Sequence, residues 1–139
     1  MKKLILIFSL VLCTKVFYGQ VNYYASVGAS YTNTVVSPGA EAGIYTDKFW
    51  LSLGYDYLPT EQWASVKLYL KLMEQSKFTI YQYNAFKTWD RRSIYEFGAA
   101  AVYDLSENWA PQLTLTTTPK FNYVSYGLGI NYWFKRNKK

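Results

Sequence analysis

From residue 122 to residue 134 the chain alternates with a period of two. Val124, Tyr126, Leu128, Ile130, Tyr132 and Phe134 fall on one face, and Tyr123, Ser125, Gly127, Gly129, Asn131 and Trp133 on the other. Successive side chains leave a pleated backbone on opposite sides, so this pattern predicts a strand with one apolar and one polar face. Six further stretches show the same alternation. Residues 22–33 place Tyr23, Ala25, Val27, Ala29 and Tyr31 opposite Tyr24, Ser26, Gly28, Ser30 and Thr32. A loop through Ser37, Pro38 and Gly39 then leads into a second strand with Ala40, Ala42 and Ile44 opposite Gly39, Glu41, Gly43 and Tyr45. The third strand sets Phe49, Leu51, Leu53, Tyr55 and Tyr57 against Trp50, Ser52, Gly54 and Asp56. The fourth sets Val66, Leu68, Leu70 and Leu72 against Ser65, Lys67, Tyr69 and Lys71. The sixth runs over residues 95–104 and the seventh over 112–116.

The fifth, residues 77–88, is the exception. Phe78 and Ile80 share a face with Gln82 and Asn84, while Tyr81, Tyr83 and Ala85 share the other. The pattern leaves its orientation open, and a bulge is one way to reconcile it. Short connections of roughly 3–8 residues join all eight strands, which implies sequential antiparallel hairpins. No stretch sustains a 3.6-residue spacing, and β-branched and aromatic residues dominate. The expected fold class is therefore all-β: an eight-stranded antiparallel up-and-down barrel.

Alternation alone does not separate a transmembrane barrel from a soluble one with an apolar interior. Glycine separates them. Gly28, Gly39, Gly43, Gly54, Gly98, Gly127 and Gly129 all fall on the polar face. A solvent-facing surface favours Lys, Glu and Arg, whereas the narrow interior of eight strands favours small side chains. The polar face is thus expected inside and the apolar face outside. Aromatic spacing agrees. Tyr23 and Tyr31, Phe49 and Tyr57, Tyr95 and Tyr103, and Tyr126 and Phe134 are each eight residues apart. Eight residues span about 26 Å of strand, or about 20 Å along the axis at a tilt near 40°, close to the ~25 Å apolar band of a membrane barrel with its two aromatic girdles.

Composition and charge refine this picture. The chain has 139 residues, enough for one domain, with 15 Tyr, 8 Phe and 5 Trp. Lys2 and Lys3 precede an apolar run from Leu4 to Leu12, followed by small and polar residues to Gly19 and Gln20. That is the pattern of a Sec signal peptide over residues 1–19, and the run is too short for a transmembrane helix of roughly 20 residues. Cys13 raises the alternative of a lipoprotein signal, but Leu12 before it is large for a lipobox. Without Lys2, Lys3 and Lys15 the balance is 12 basic against 9 acidic residues, and four of the twelve lie in a basic tail, Lys135, Arg136, Lys138 and Lys139. The remaining body, 8 against 9, does not carry the charge of a nucleic-acid binder. Residues 20–134 are expected to form the barrel and 135–139 a periplasmic tail.

On these residues the chain resembles the small eight-stranded outer-membrane barrels of the OmpA transmembrane-domain and OmpX kind, in the tyrosine-rich style of Bacteroidota. The resemblance covers the chain after the signal as a pattern. It implies that the last strand carries a signal for the barrel-assembly machinery, with Gly129, Tyr132 and Phe134 at the matching positions. Gly127 stands where a polar residue is usual, and Lys135 to Lys139 follow Phe134 where the family's chains end. The resemblance also implies a periplasmic N-terminus, which would put the loops near 34–38, 58–64, 87–93 and 117–122 outside the cell.

Little chemistry is on offer. The chain has no histidine, and after signal cleavage no cysteine, so the Ser–His machinery of outer-membrane acyltransferases and deacylases is missing and no transition-metal site or other cofactor is expected. The charged residues of the inner face are Glu41, Asp56, Lys67, Lys71 and Glu96, with Asp104 near an end. They are expected to form an ion-pair network that fills the lumen, the sharper alternative being a polar conduit or a catalytic carboxylate pair. In the third outer loop Lys87, Trp89, Arg91 and Arg92 form a candidate contact for lipopolysaccharide phosphates, against a simple solvated hairpin tip paired to Asp90. The expected role is a non-enzymatic structural or interaction protein of the outer membrane, with membrane lipid, lipopolysaccharide and the assembly machinery as partners. A passive pore and a soluble lipocalin-like ligand binder are the alternatives.

Overall fold

The computed structural model describes residues 22–120 and 122–134. The proposed signal peptide, Cys13 and the basic tail lie outside the described residues. Eight strands follow in order: β1 (Asn22–Thr32), β2 (Val35–Tyr45), β3 (Phe49–Tyr57), β4 (Gln62–Gln75), β5 (Phe78–Trp89), β6 (Arg92–Tyr103), β7 (Trp109–Thr117) and β8 (Val124–Trp133). Each pairs antiparallel with its sequence neighbours, and β1 pairs with β8, so the sheet closes and no edge is left exposed. Gly28 faces Gly129 across that seam.

Three hairpins are tight. Asn33 and Thr34 have φ of 46° and 72°, and Ser76 and Asp90 have 56° and 51°, the left-handed geometry that matches the twist of two-residue hairpins. Asn and Asp tolerate it best among residues with a side chain. The first hairpin differs from the sequence expectation. Ser37, Pro38 and Gly39 are not a loop but the start of β2, which begins at Val35. Pro38 pairs with Ala29 of β1, while the ladder to β3 begins only at the Gly39–Asp56 pair. A residue without an N–H is tolerated where a strand is bonded on one side only.

β5 is regular, and the irregularity lies in its neighbour. The β4–β5 register shifts between Lys71 and Met73. Thr79, Tyr81, Tyr83 and Ala85 are buried inside, and Gln82 and Phe86 are exposed outside. The outer wall is otherwise apolar, with Val27 60%, Leu53 55%, Phe86 53% and Leu128 69% exposed. Tyr31, Tyr57, Tyr95 and Tyr126 ring one end of that wall, and Tyr23, Phe49, Phe78, Tyr103 and Trp109 ring the other. The first is the open end of the barrel and the second, where β1 begins and β8 finishes, the terminal end.

Candidate lumen site

Two different fillings occupy the lumen. Near the terminal end the inward positions adjoining the turns carry Tyr24, Tyr45, Trp50, Tyr69, Tyr81, Tyr83 and Trp133, all buried. Trp50 is central: its ring centroid lies 4.3 Å from Tyr81, 4.8 Å from Trp133, 5.2 Å from Tyr69 and 5.5 Å from Tyr24. Tyr45 meets Trp133 at 4.4 Å and 66°, and Tyr69 meets Tyr83 at 5.1 Å and 73°. Edge-to-face pairs of this kind add about 0.5–1.5 kcal/mol each beyond the area they bury. Together these rings form a plug across the barrel.

Above the plug the lumen becomes ionic. Glu41 takes hydrogen bonds from the hydroxyls of Tyr24 (2.9 Å) and Tyr69 (3.1 Å), and its other oxygen lies 2.8 Å from the Lys67 ammonium. The plug's polar tips thus hold the first carboxylate in place. Alongside, the Asn131 amide donates to Gln112 at 2.9 Å. Higher still, Lys87 Nζ lies 3.1 Å from Asp56 Oδ2 and 3.1 Å from Glu96 Oε2. Tyr123, just before β8, closes this group by donating to Glu96 Oε1 at 2.9 Å. Burial and the Glu96 carboxylate both push its hydroxyl above the usual phenol range.

Glycines make room for these charges. A side chain at Gly39 would strike the Asp56 carboxylate, and one at Gly54 would strike Ser65 and Lys67. A cavity of about 270 Å³ opens above the triad, lined among others by Thr32, Trp63, Ile94 and Tyr123. A smaller one of about 80 Å³ lies below it, lined among others by Ser26, Gly28, Thr114 and Gly127. Asp56, Lys87 and Glu96 belong to the walls of both. They therefore divide the wet part of the lumen.

Of the sequence candidates, Glu41, Asp56, Lys67 and Glu96 do converge in the lumen. Lys71 does not join them. It sits beside the register shift at the terminal end and pairs with Glu74 at 2.6 Å, because the bulge brings that carboxylate within reach. Asp104 is buried near the same end, away from the network. Lys87 stands apart from the hairpin tip where it was expected: it is an inward residue of β5, bound to two carboxylates with 14% of its side chain exposed. The remaining three loop candidates do gather at the hairpin tip. Arg92 lies 5.5 Å over the Trp89 ring and 3.5 Å from Glu61, Trp63 packs 6.0 Å from Trp89, and Arg91 is exposed. On β8, Gly129 lines the lumen, and Tyr132 packs edge-on between Trp109 (4.8 Å) and Phe134 (5.2 Å) on the outer wall. Alternation puts Tyr24, Tyr45, Trp50, Tyr69 and Trp133 on the polar, inner face but leaves Tyr81 and Tyr83 of the fifth strand unassigned, and it does not reveal a plug. The available signal was position: Tyr24, Tyr45, Trp50, Tyr81 and Trp133 all stand close to the strand ends at one end of the barrel.

No protein-family model and no curated relative matches this sequence. Solved structures do match its shape. A de novo designed transmembrane β-barrel superposes with a TM-score of 0.72 at 18% identity, covering 81% of this chain and 94% of that one. The N-terminal β-barrel domain of Pseudomonas aeruginosa OprF gives 0.67 at 17% identity, covering 81% and 97%. The Yersinia pestis outer membrane protein Ail gives 0.55 at 8% identity, covering 81% and 99%. The fold is that of an eight-stranded transmembrane β-barrel. It is shared with a designed protein as well as with natural ones, so it carries no activity by itself.

Proposed function

We propose that this protein is an integral outer-membrane barrel that works as a structural and interaction element, not as a catalyst or an open pore. The observation that carries this reading is its inverted polarity: Leu, Val, Phe and Tyr cover the outside while ion pairs and amides fill the inside. An apolar wall of that extent is an aggregation hazard in water and a natural fit to hydrocarbon between two aromatic girdles. The N-terminal signal-like segment supports export, and the matching barrels support this type of membrane. The aromatic plug argues against free passage of solutes, because it fills the section that a solute would have to cross.

Interaction is assigned to the open end. Trp89, Arg91 and Arg92 present a planar cation, a second arginine and an indole at one hairpin tip, a set suited to headgroup or lipopolysaccharide phosphates. Gly129 and Tyr132 on β8, with Phe134 just after it, are proposed as the segment read by the barrel-assembly machinery. Carbonate washing of cell envelopes tests the location. Retention together with heat-modifiable migration on a gel is expected, and release into the wash would sink the reading. Reconstitution into planar bilayers tests the closed lumen, with no events above background expected from the unaltered protein.

A further inference from the structure

The outer wall carries an anomaly at mid-height. β5 turns Gln82 and Asn84 outward, four and six residues above Phe78 at the terminal end. At that spacing they stand about 10 Å and 15 Å along the axis from the girdle, near the middle of an apolar band ~25 Å tall. The middles of the other strands present Val27, Ala40, Leu53, Leu68, Phe97, Leu113 and Leu128 there. Asn84 is partly satisfied, since the Tyr95 hydroxyl leaves the girdle to donate to its carbonyl at 2.7 Å. The exposed Gln82 amide has no side-chain partner among the described residues. A free amide in hydrocarbon is unfavourable, and polar groups on membrane-embedded walls generally find partners on another embedded surface.

We propose that the β5–β6 wall is a homodimer interface, with Gln82 of two copies hydrogen-bonded to each other. The inference rests on the membrane reading above. A second copy fits better than another occupant because an amide is self-complementary, donating through its NH₂ and accepting through its carbonyl. All copies insert in one orientation, so a two-fold axis along the membrane normal brings the two Gln82 side chains together at equal depth. Strands tilted by about 40° on facing walls then cross at roughly 80°, which concentrates the contact near one point of each strand. At the crossing Ala99, paired with Gln82, and the neighbouring Ala101 offer the least obstruction to close approach.

Disulfide trapping in intact envelopes tests this, in a Cys13→Ser background. Gln82→Cys is expected to yield an oxidant-dependent dimer, while Leu53→Cys and Leu128→Cys on other walls stay monomeric. In lipid vesicles at high dilution, the association constant read from energy transfer between labelled copies should fall roughly threefold or more for Gln82→Leu, the size of one intramembrane hydrogen bond, with heat-modifiable migration unchanged. Equal trapping on all walls, trapping only to a different protein, or unchanged association of a folded Gln82→Leu variant would each overturn the dimer. A carbonate-retained protein that stays monomeric removes the dimer alone. A protein released by carbonate removes the membrane reading and the dimer together.

Discussion

The two halves of the lumen solve the same packing problem with opposite chemistry. Eight strands enclose a space just wide enough for side chains, and each half must fill it. The terminal half uses seven aromatic residues whose polar tips reach only to the boundary, where Tyr24 and Tyr69 hold Glu41. The open half uses small residues, two lysines and three carboxylates, and leaves cavities of about 270 Å³ and 80 Å³. Aromatic filling is dry and rigid and stabilises through area and ring geometry. Ionic filling stabilises only while every charge keeps its partner. The terminal half therefore closes the barrel, and the open half is the part that can hold water or respond to what lies outside.

Breaking the plug gives the largest expected effect. Trp50→Ala should cost about 3–5 kcal/mol of folding stability, as for other large buried aromatics, measured by urea unfolding in lipid vesicles. If the plug is the seal, Trp50→Gly with Trp133→Gly should also produce channel events in planar bilayers. A silent double variant that is still folded would mean that the ionic half seals on its own.

Breaking the ionic half comes next. Lys87→Met leaves Asp56 and Glu96 facing each other without a cation and should cost about 2–4 kcal/mol, somewhat below a fully buried pair because the cavity above admits water. Adding Asp56→Asn and Glu96→Gln to Lys87→Met should recover most of that loss in the same unfolding assay. A triple variant as unstable as the single one would show that Lys87 acts through packing and not through charge.

On the outer wall of β8, Tyr132→Ala with Phe134→Ala should lower the amount of folded, heat-modifiable protein in the membrane. Its in vitro folding in vesicles should change less, because among the described residues the ring contacts of this pair are with Trp109 and with each other, on the outer wall. Equal losses in both settings would make them ordinary packing residues.

The smallest effect is at the rim. Tyr123→Phe removes one hydrogen bond to Glu96 and should cost about 1 kcal/mol. Its hydroxyl is held above the usual phenol range in the folded state. The unfolded chain therefore releases its proton first. The contribution of Tyr123 is complete below about pH 10 and declines as pH rises beyond it, so wild type and Tyr123→Phe should converge in strongly alkaline buffer.

Architecture was legible from the chain because a period of two is a local property of the pleated backbone. Val124 to Phe134 needs no partner to declare its two faces, and seven glycines on one face declare which face is crowded. The one strand that resisted, residues 77–88, did so because its outward face carries Gln82 and Asn84, and periodicity has no rule for an amide in a wall of leucines. The site was half legible. Glu41, Asp56, Lys67 and Glu96 lie on inward positions of regular strands, so parity located them. Parity also set Lys71 beside inward Tyr81, but it could not show that the register shift next to it supplies Glu74 as its partner in place of the lumen network. It was not applied to Lys87, whose neighbours Trp89, Arg91 and Arg92 have the composition of a loop.

The sequence by itself determined the strand count, the hairpin order and the polarity of the two faces, since all three follow from spacing between near neighbours. Only the tertiary structure decided which charges meet, that seven rings converge on one section of the lumen, and that the ladder slips at Lys71. The β5–β6 hairpin sets Glu96 beside Lys87, but closing the barrel sets the stagger that brings Lys87 of β5 to Asp56 of β3. Contacts between residues dozens of positions apart depend on that closure and leave no local trace in the chain.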